Sequence, residues 1–279
     1  MNVLIVGLGL MGGAYAYKLK DKGYYVYGVD IDNKAIEYAK NNDFIDEGSS
    51  DPALFIEKSD IIVLAFYPKA IIDFLKKYNK LFRKNHIITD ICGVKSSFLS
   101  QAVECAKPAT YLSHHPMAGR EKNGIEYSKK CVFEGANFLI VPDGDVKDSA
   151  IDVITRMGLD LGFSKISIID KEKHDNMIGF TSQLTHAIAV SLVNSDRNDD
   201  TKKYIGDSYR DLTRIALINE NLWSELFIEN KEFLLNHIEH FENELDILKT
   251  ALKNSDKEKL KELFRSSTKI RKEMEKWKI

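Results

Sequence analysis

Four groups of residues in this chain have the types and spacing to do chemistry. The first is Ser113-His114-His115-Pro116-Met117-Ala118-Gly119-Arg120-Glu121, two histidines followed by a proline stop, a small pair and a charged pair. A histidine here can act as a general base near neutral pH. Equally, His115 can bond backbone groups and shape the turn. Neighbours on a strand point to opposite faces, so the two histidines do not make a metal pair, and His114 is expected to face inward as a structural residue. No metal site is expected. The second group is Ser182, Gln183 and His186, at i, i+1 and i+4, able to share one face of an otherwise apolar helix. Polar groups in such a setting need partners, supplied either by neighbouring helices or by a ligand. The third is Arg210 and Arg214, like charges four residues apart that repel unless an anion relieves them. Asp207 and Asp211 can do this in a structural network. Alternatively, an aspartate holds one arginine while the other meets a substrate carboxylate in a bidentate pair. The fourth is the loop Gly7-Leu8-Gly9-Leu10-Met11-Gly12, with Asp30 further on.

That loop has the GxGxxG spacing, and the elements around it occur in the order the motif requires. Val3 to Val6 reads as a buried parallel strand, Ala14 to Lys22 as a helix stopped by Gly23, and Tyr25 to Val29 as a second strand ending at Asp30. The acid falls about 20 residues past the loop, where a ribose-binding carboxylate belongs. Gly7 permits the turn, Gly9 lets backbone approach a pyrophosphate, and Gly12 lets helix pack on strand. The helix N-terminus supplies free N–H groups to the phosphates. The negative charge of Asp30 disfavours a 2′-phosphate, so the reading is an NAD site.

Further strands are expected at 61–65, 86–90, 111–114, 138–141 and, as an edge, 164–169, with helices between them. Among these helices are 33–40 capped by Asp32 or Asn33, one begun by Ser96 or Ser97 and running to Ala106, and 149–161. Alternating strands and helices predict an α/β fold, an N-terminal Rossmann-type doubly wound parallel sheet over residues 1–169. Ligands then lie beyond the C-terminal strand ends, after Val6, Val29, Ala65, Asp90 and His114. From 170 to 279 the pattern is helical, with runs at 171–194, 204–218, 221–240, 242–253 and 256–276, predicting an all-α domain. Its wide apolar stripes, such as Leu222, Leu226, Phe233, Leu234 and Ile238, are more than a small domain buries alone. A homodimer through this substrate and dimerisation domain is expected.

The totals exclude several classes. A formal net charge of −2 gives no basic field for nucleic acid. No apolar run is long enough to span a bilayer, and the N-terminus enters a strand without a signal-peptide pattern, so no membrane partner is expected. Cys92, Cys105 and Cys131 are scattered and odd in number, which argues for a reducing, cytoplasmic setting without disulfides.

With these residues in hand, the chain resembles the prephenate dehydrogenases, or cyclohexadienyl dehydrogenases, NAD-dependent enzymes of tyrosine biosynthesis. The resemblance runs nearly end to end. Its marks are Gly7 to Gly13, the Asp90 to Lys95 turn, and His115-Pro116-Met117-Ala118-Gly119 with Glu121-Lys122. Further marks are Ser182-Gln183-Leu184-Thr185-His186-Ala187, and Arg210 to Ala216 followed by Trp223 and Glu229-Asn230-Lys231. It implies oxidative decarboxylation of prephenate to 4-hydroxyphenylpyruvate, with NAD+ accepting the hydride. It places the catalytic base on His115 and a substrate-binding arginine on Arg214 with Asp211 beside it. It also puts His186, Gln183, Ser182, Glu121 and Gly93 among the substrate-binding positions. One departure stands out: Gly93 replaces a serine that touches the substrate hydroxyl in many members, and Cys92 is one position off. Neither a C-terminal regulatory domain nor a fused mutase is expected. Competing readings are an arogenate dehydrogenase, a β-hydroxyacid dehydrogenase of similar plan, and a non-catalytic NAD-binding regulator. The second would want a lysine base in the helical domain, and the third leaves His115, His186 and Arg214 idle.

Overall fold

A computed structural model describes residues 1–118 and 124–276. In chain order the first elements are β1 (Asn2–Val6), α1 (Leu10–Asp21), β2 (Tyr25–Val29), α2 (Asn33–Asn41), β3 (Glu47–Ser49), α3 (Ala53–Ile56), β4 (Ile61–Leu64) and α4 (Pro68–Tyr78). Then come β5 (Ile87–Asp90), α5 (Leu99–Ala106), β6 (Thr110–Tyr111), β7 (Ser113–Pro116), β8 (Asn137–Val141), α6 (Asp148–Leu161) and β9 (Lys165–Ile168). The rest is helical: α7 (Lys171–Ile178), a π-helical segment (Gly179–Leu184), α8 (Thr185–Asn194), α9 (Asp207–Thr213), a 3-10 turn (Arg214–Ala216), α10 (Glu220–Glu229), α11 (Lys231–Lys253) and α12 (Lys257–Glu275).

Six strands form one parallel sheet in the order β3-β2-β1-β4-β5-β6. The strand order reverses between β1 and β4, and a crevice at that switch point is where such sheets bind ligands. Because strand side chains alternate, Val3 and Ile5 enter one core with Tyr15, Leu19, Phe133 and Ile154, whereas Leu4 and Val6 enter the other with Ile62, Ile71, Leu75 and Leu99. Burial on both faces accounts for the unbroken apolar runs of β1 and β4.

The chain is divided by its contacts into two compact units, Met1–Asn230 and Lys231–Ile279. In the second, Ser255 takes a positive φ in the turn between α11 and α12, and the Asp256 side chain caps α12 by accepting from Lys259 N.

Several local expectations are corrected. The strand expected at 111–114 is two: after Leu112 the chain leaves the parallel sheet, and β7 pairs antiparallel with β8 in a separate sheet β7-β8-β9. The expected strands at 138–141 and 164–169 therefore belong to that second sheet. β3 was not foreseen; it is short and contains a glycine, so it lacks the apolar pattern. Neither Ser96 nor Ser97 caps α5, which starts at Leu99 with Phe98 at its N-cap, because the Ser96 backbone N–H is taken by Asp175. The helix expected at 221–240 breaks at Asn230, and α11 runs on past 240 without interruption. Asn230 Nδ2 donates to Asp175 O and Gln183 Oε1, and these two long-range bonds hold the break.

Candidate active site

The glycine loop closes the end of β1 at the switch point. Gly7 has φ +96°, and a Cβ there would stand 2.7 Å from Ala65 O. A Cβ on Gly12 would stand 1.8 Å from Gly7 O, so only glycine lets α1 start this close to the strand end. A Cβ on Gly9 would meet nothing within 4 Å of protein, leaving open space along the loop. α1 has no side-chain N-cap, so its first N–H groups are available to an anion. Leu8 is buried in the core, and its N–H donates to Asp30 Oδ2 at 2.6 Å, while Asp32 N donates to Asp30 Oδ1 at 2.8 Å. The Asp30 carboxylate is thus held at the end of β2 with lone pairs to spare for hydroxyl donors. Asp32 is the side chain that caps α2.

A cleft of about 1180 Å³ opens between this loop and the first helices of the helical region, all within the unit Met1–Asn230. Gly9 to Gly12, Ala65 to Pro68, Cys92, Gly93, His115, Ser182, Gln183, His186 and Trp223 are among the residues that line it. The space contains a loop fit for a pyrophosphate, a histidine and a polar helical wall.

His114 and His115 part as strand geometry requires. His114 is fully buried, with Tyr15 Oη 2.9 Å from Nε2 and Thr89 Oγ1 2.6 Å from Nδ1, so both ring nitrogens are engaged in the core. Burial, with nearby Lys95, pushes its pKa down to about 3. His115 lies on the cleft. Its Nε2 is 3.8 Å from where a Gly93 Cβ would be, an ordinary contact distance, so the missing side chain leaves room beside that nitrogen. Its Nδ1 is 2.9 Å from His174 Nε2. Burial, then His174 and Lys95, hold His115 well below the usual histidine pKa and therefore neutral at physiological pH.

The support beneath His115 is charged and buried. Lys95 Nζ donates to Asp90 Oδ1 at 2.8 Å and to His114 O at 2.9 Å, pinning the turn after β5 to the start of β7. Burial would raise the Asp90 pKa, but the adjacent Lys95 ammonium outweighs it and holds the carboxyl below its usual range. Cys92 Sγ donates to Phe66 O, and burial together with Asp90 pushes its pKa well up, so the thiol stays protonated. It does not stand in for the absent serine at Gly93.

On the helical wall, the π segment re-aims one turn of helix, a feature often found at functional sites. Ser182 and His186 reach the cleft. His186 Nδ1 donates to Ser182 O at 2.8 Å, and its ring stacks on Trp223 with centroids 3.6 Å apart. Gln183 is buried, its amide donating to Leu226 O and accepting from Asn230, so helix-to-helix bonding is what this side chain does.

Arg214 and Asp211 are not among the residues that line the cleft. Both are exposed, and Arg214 sits in the 3-10 turn just before Ile215 and Ala216, which line the cleft. Arg210 pairs with Asp207 at 3.0 Å on the surface. Glu121 lies outside the described residues. Sequence reasoning missed His174 and Asp175. The signal available was that His174 lies four residues before Ile178, on the helix's inward face, within an otherwise charged run.

Sheet order, glycine loop and crevice together define a Rossmann-type nucleotide-binding protein with a helical C-terminal domain. The chain belongs to the prephenate dehydrogenase family: residues 15–166 match the family's nucleotide-binding domain and residues 170–266 its dimerization domain. It is similar to the prephenate dehydrogenase of Aquifex aeolicus solved with hydroxyphenyl propionate and NAD+. Identity there is 31%, coverage 98% of both chains, and the TM-score 0.89. It is 27% identical to the cyclohexadienyl dehydrogenase of Zymomonas mobilis, over 97% of this chain and 94% of that protein. A Synechocystis arogenate dehydrogenase shares the fold with a TM-score of 0.84 at 23% identity, covering 98% of this chain and all of that one.

Proposed function

We propose that this protein is an NAD-dependent prephenate dehydrogenase that converts prephenate to 4-hydroxyphenylpyruvate and CO2. The nucleotide-binding domain spans residues 1–169 and the helical substrate and dimerisation domain 170–279. The observation that carries this reading is that His115, with Nε2 beside Gly93, lines the same cleft as the glycine loop and the helical residues Ser182 and His186. When bound, NAD+ supplies the hydride acceptor. The residues of the chain do the rest. The loop backbone from Gly7 to Gly12, with the N–H groups of α1, holds the pyrophosphate, and Asp30 accepts from the ribose hydroxyls. Neutral His115 takes the proton of the ring hydroxyl at Nε2. Loss of CO2 aromatises the ring and makes the step irreversible. Ser182 and the stacked His186–Trp223 pair bound the substrate, and Arg214 meets a carboxylate from the rim of the cleft. Arogenate carries an amine where prephenate has a keto group, so turnover of both substrates side by side is the test of this assignment. The scattered, odd-numbered cysteines Cys92, Cys105 and Cys131 suit a reducing compartment such as the cytoplasm.

Three expected results follow from particular residues. Asp30 and Asp32 flank an exposed Ile31, and a 2′-phosphate would meet carboxylates with no cation in that segment. kcat/KM should be clearly higher with NAD+ than with NADP+; equal values would remove Asp30 from this role. Arg214→Ala should raise KM for prephenate about tenfold to a hundredfold and leave KM for NAD+ in place, the cost of one charge-assisted hydrogen bond. Unchanged KM values with a lowered Tm would make Arg214 structural. Finally, Leu235, Leu245, Leu252, Phe264 and Ile270 are exposed on α11 and α12, an apolar surface suited to a second copy of the chain. Light scattering at micromolar concentration should give twice the 31.8 kDa chain mass, and a clean monomer would contradict the homodimer.

A further inference from the structure

A general base is useful only if the correct nitrogen carries its lone pair, and the groups behind His115 bear on that choice. Asp175 Oδ1 is 2.7 Å from His174 Nδ1. Both Asp175 oxygens also accept backbone N–H groups: Oδ1 and Oδ2 from Lys95, at 2.9 and 3.1 Å, and Oδ2 from Ser96, at 2.6 Å. Asn230 Nδ2 fixes the Asp175 backbone by donating to its carbonyl. Asp175 and His174 are both fully buried, so water does not compete for these bonds.

A carboxylate offers only lone pairs, so the His174 proton must sit on Nδ1. Neutral His174 then presents a bare Nε2, and that atom lies 2.9 Å from His115 Nδ1. A hydrogen bond forms there only if His115 carries its proton on Nδ1. The same proton cannot also be on Nε2, which is the nitrogen facing Gly93 and the cleft. His114 shows the contrast: its ring nitrogens meet two hydroxyls, each able to donate or accept, and no tautomer is imposed.

We infer that His174 and Asp175 are positioning residues that set the tautomer of His115, keeping Nδ1 protonated and Nε2 free to take a proton from the substrate. The inference rests on the proposed role of His115 and adds residues that touch neither substrate nor cofactor. It also gives a reason why the ring stays aligned without a serine at position 93: its orientation is fixed from behind.

The test uses the full-length protein and an Asp175→Asn variant. The Asn oxygen keeps acceptance from the backbone N–H groups, but its NH2 now donates to His174 Nδ1. The proton of His174 moves to Nε2, which donates to His115 Nδ1, and His115 is left protonated at Nε2. The same logic underlies the loss of activity when the aspartate of a serine-protease triad becomes asparagine. Nitrogen-15 shifts of the imidazoles should report an Nδ1–H His115 in the wild type and an Nε2–H His115 in the variant. kcat should fall at least about tenfold, with KM values little changed.

A second pair of variants guards against a simple folding defect. His174→Gln keeps an acceptor within reach of His115 Nδ1, whereas His174→Leu does not, so the glutamine variant should retain more activity. Adding Asp175→Asn to His174→Gln should cost much less than it does in the wild type. An Nδ1–H His115 in the Asp175→Asn protein, or the same cost in both backgrounds, would overturn the inference. The NMR reading needs no substrate, so it stands or falls separately from the assignment of prephenate.

Discussion

Replacing His115 with asparagine is expected to lower kcat by about 10²–10⁴-fold, the usual contribution of a positioned general base. The ring sits where the glycine loop, the turn after β5 and the helical wall converge, and its Nε2 is the titratable atom beside the space at Gly93. Hydride leaves the ring carbon only as its hydroxyl becomes carbonyl-like, so the hydroxyl proton must be accepted in the same transition state. Asparagine keeps a polar group of similar reach but is not a base at neutral pH. The lost interaction belongs to the transition state, so KM values should change little. The pH dependence has a definite sign. The base works when neutral, and burial with His174 and Lys95 holds the His115 pKa below its ordinary value. Wild-type kcat should therefore be flat around neutrality and fall only well below pH about 6.5, through an ionisation that His115→Asn lacks. Near-normal kcat in a folded, NAD-binding His115→Asn protein would place the base elsewhere, with His186 next to be examined.

The second large effect concerns stability. His114 has a folded-state pKa of about 3, against about 6.5 in the unfolded chain. Between these values the unfolded state binds the extra proton, so stability is complete above pH about 6.5 and is lost as pH falls toward 3. Over that whole window this one residue accounts for about 5 kcal/mol, comparable with the entire stability of many domains. Burial also lowers His86, His115 and His174, which act in the same direction. Denaturant unfolding at pH 7 and pH 5 should differ by at least about 2 kcal/mol, the share of His114 alone. Equal stability at the two pH values would mean that His114 is protonated in the fold, against its burial and the nearby Lys95.

Much of the N-terminal architecture is legible because its signals are local. Gly7, Gly9, Gly12 and Asp30 fall within one strand–helix–strand unit, and the fold puts the glycines at the turn between β1 and α1 and Asp30 just past β2. Opposite roles for His114 and His115 follow from strand alternation alone. What the sequence hides depends on long-range bonds. Leaving the parallel sheet at Leu112 depends on β8, which pairs with β7 from more than twenty residues away. Asn230 interrupts an apolar helical pattern that is otherwise continuous, and it does so through bonds to Asp175 and Gln183 on other elements. His174 sits in Lys171-Glu172-Lys173-His174-Asp175, a run that reads as a solvated helix start until the fold buries its last two members against β7 and the Lys95 turn. Ser182, Gln183 and His186 were legible as a group but not in their division of labour. All three border the cleft, but the Gln183 amide is spent on bonds to Leu226 and Asn230.

Oxidation and decarboxylation of prephenate is the reaction proposed for this cleft. The most direct measurement is turnover by the purified protein with NAD+, following NADH and identifying the organic product, with prephenate and arogenate in parallel. Prephenate should yield NADH, CO2 and 4-hydroxyphenylpyruvate in equal amounts. A protein that binds NAD+ but forms no NADH from prephenate, or that turns over arogenate alone, would contradict it.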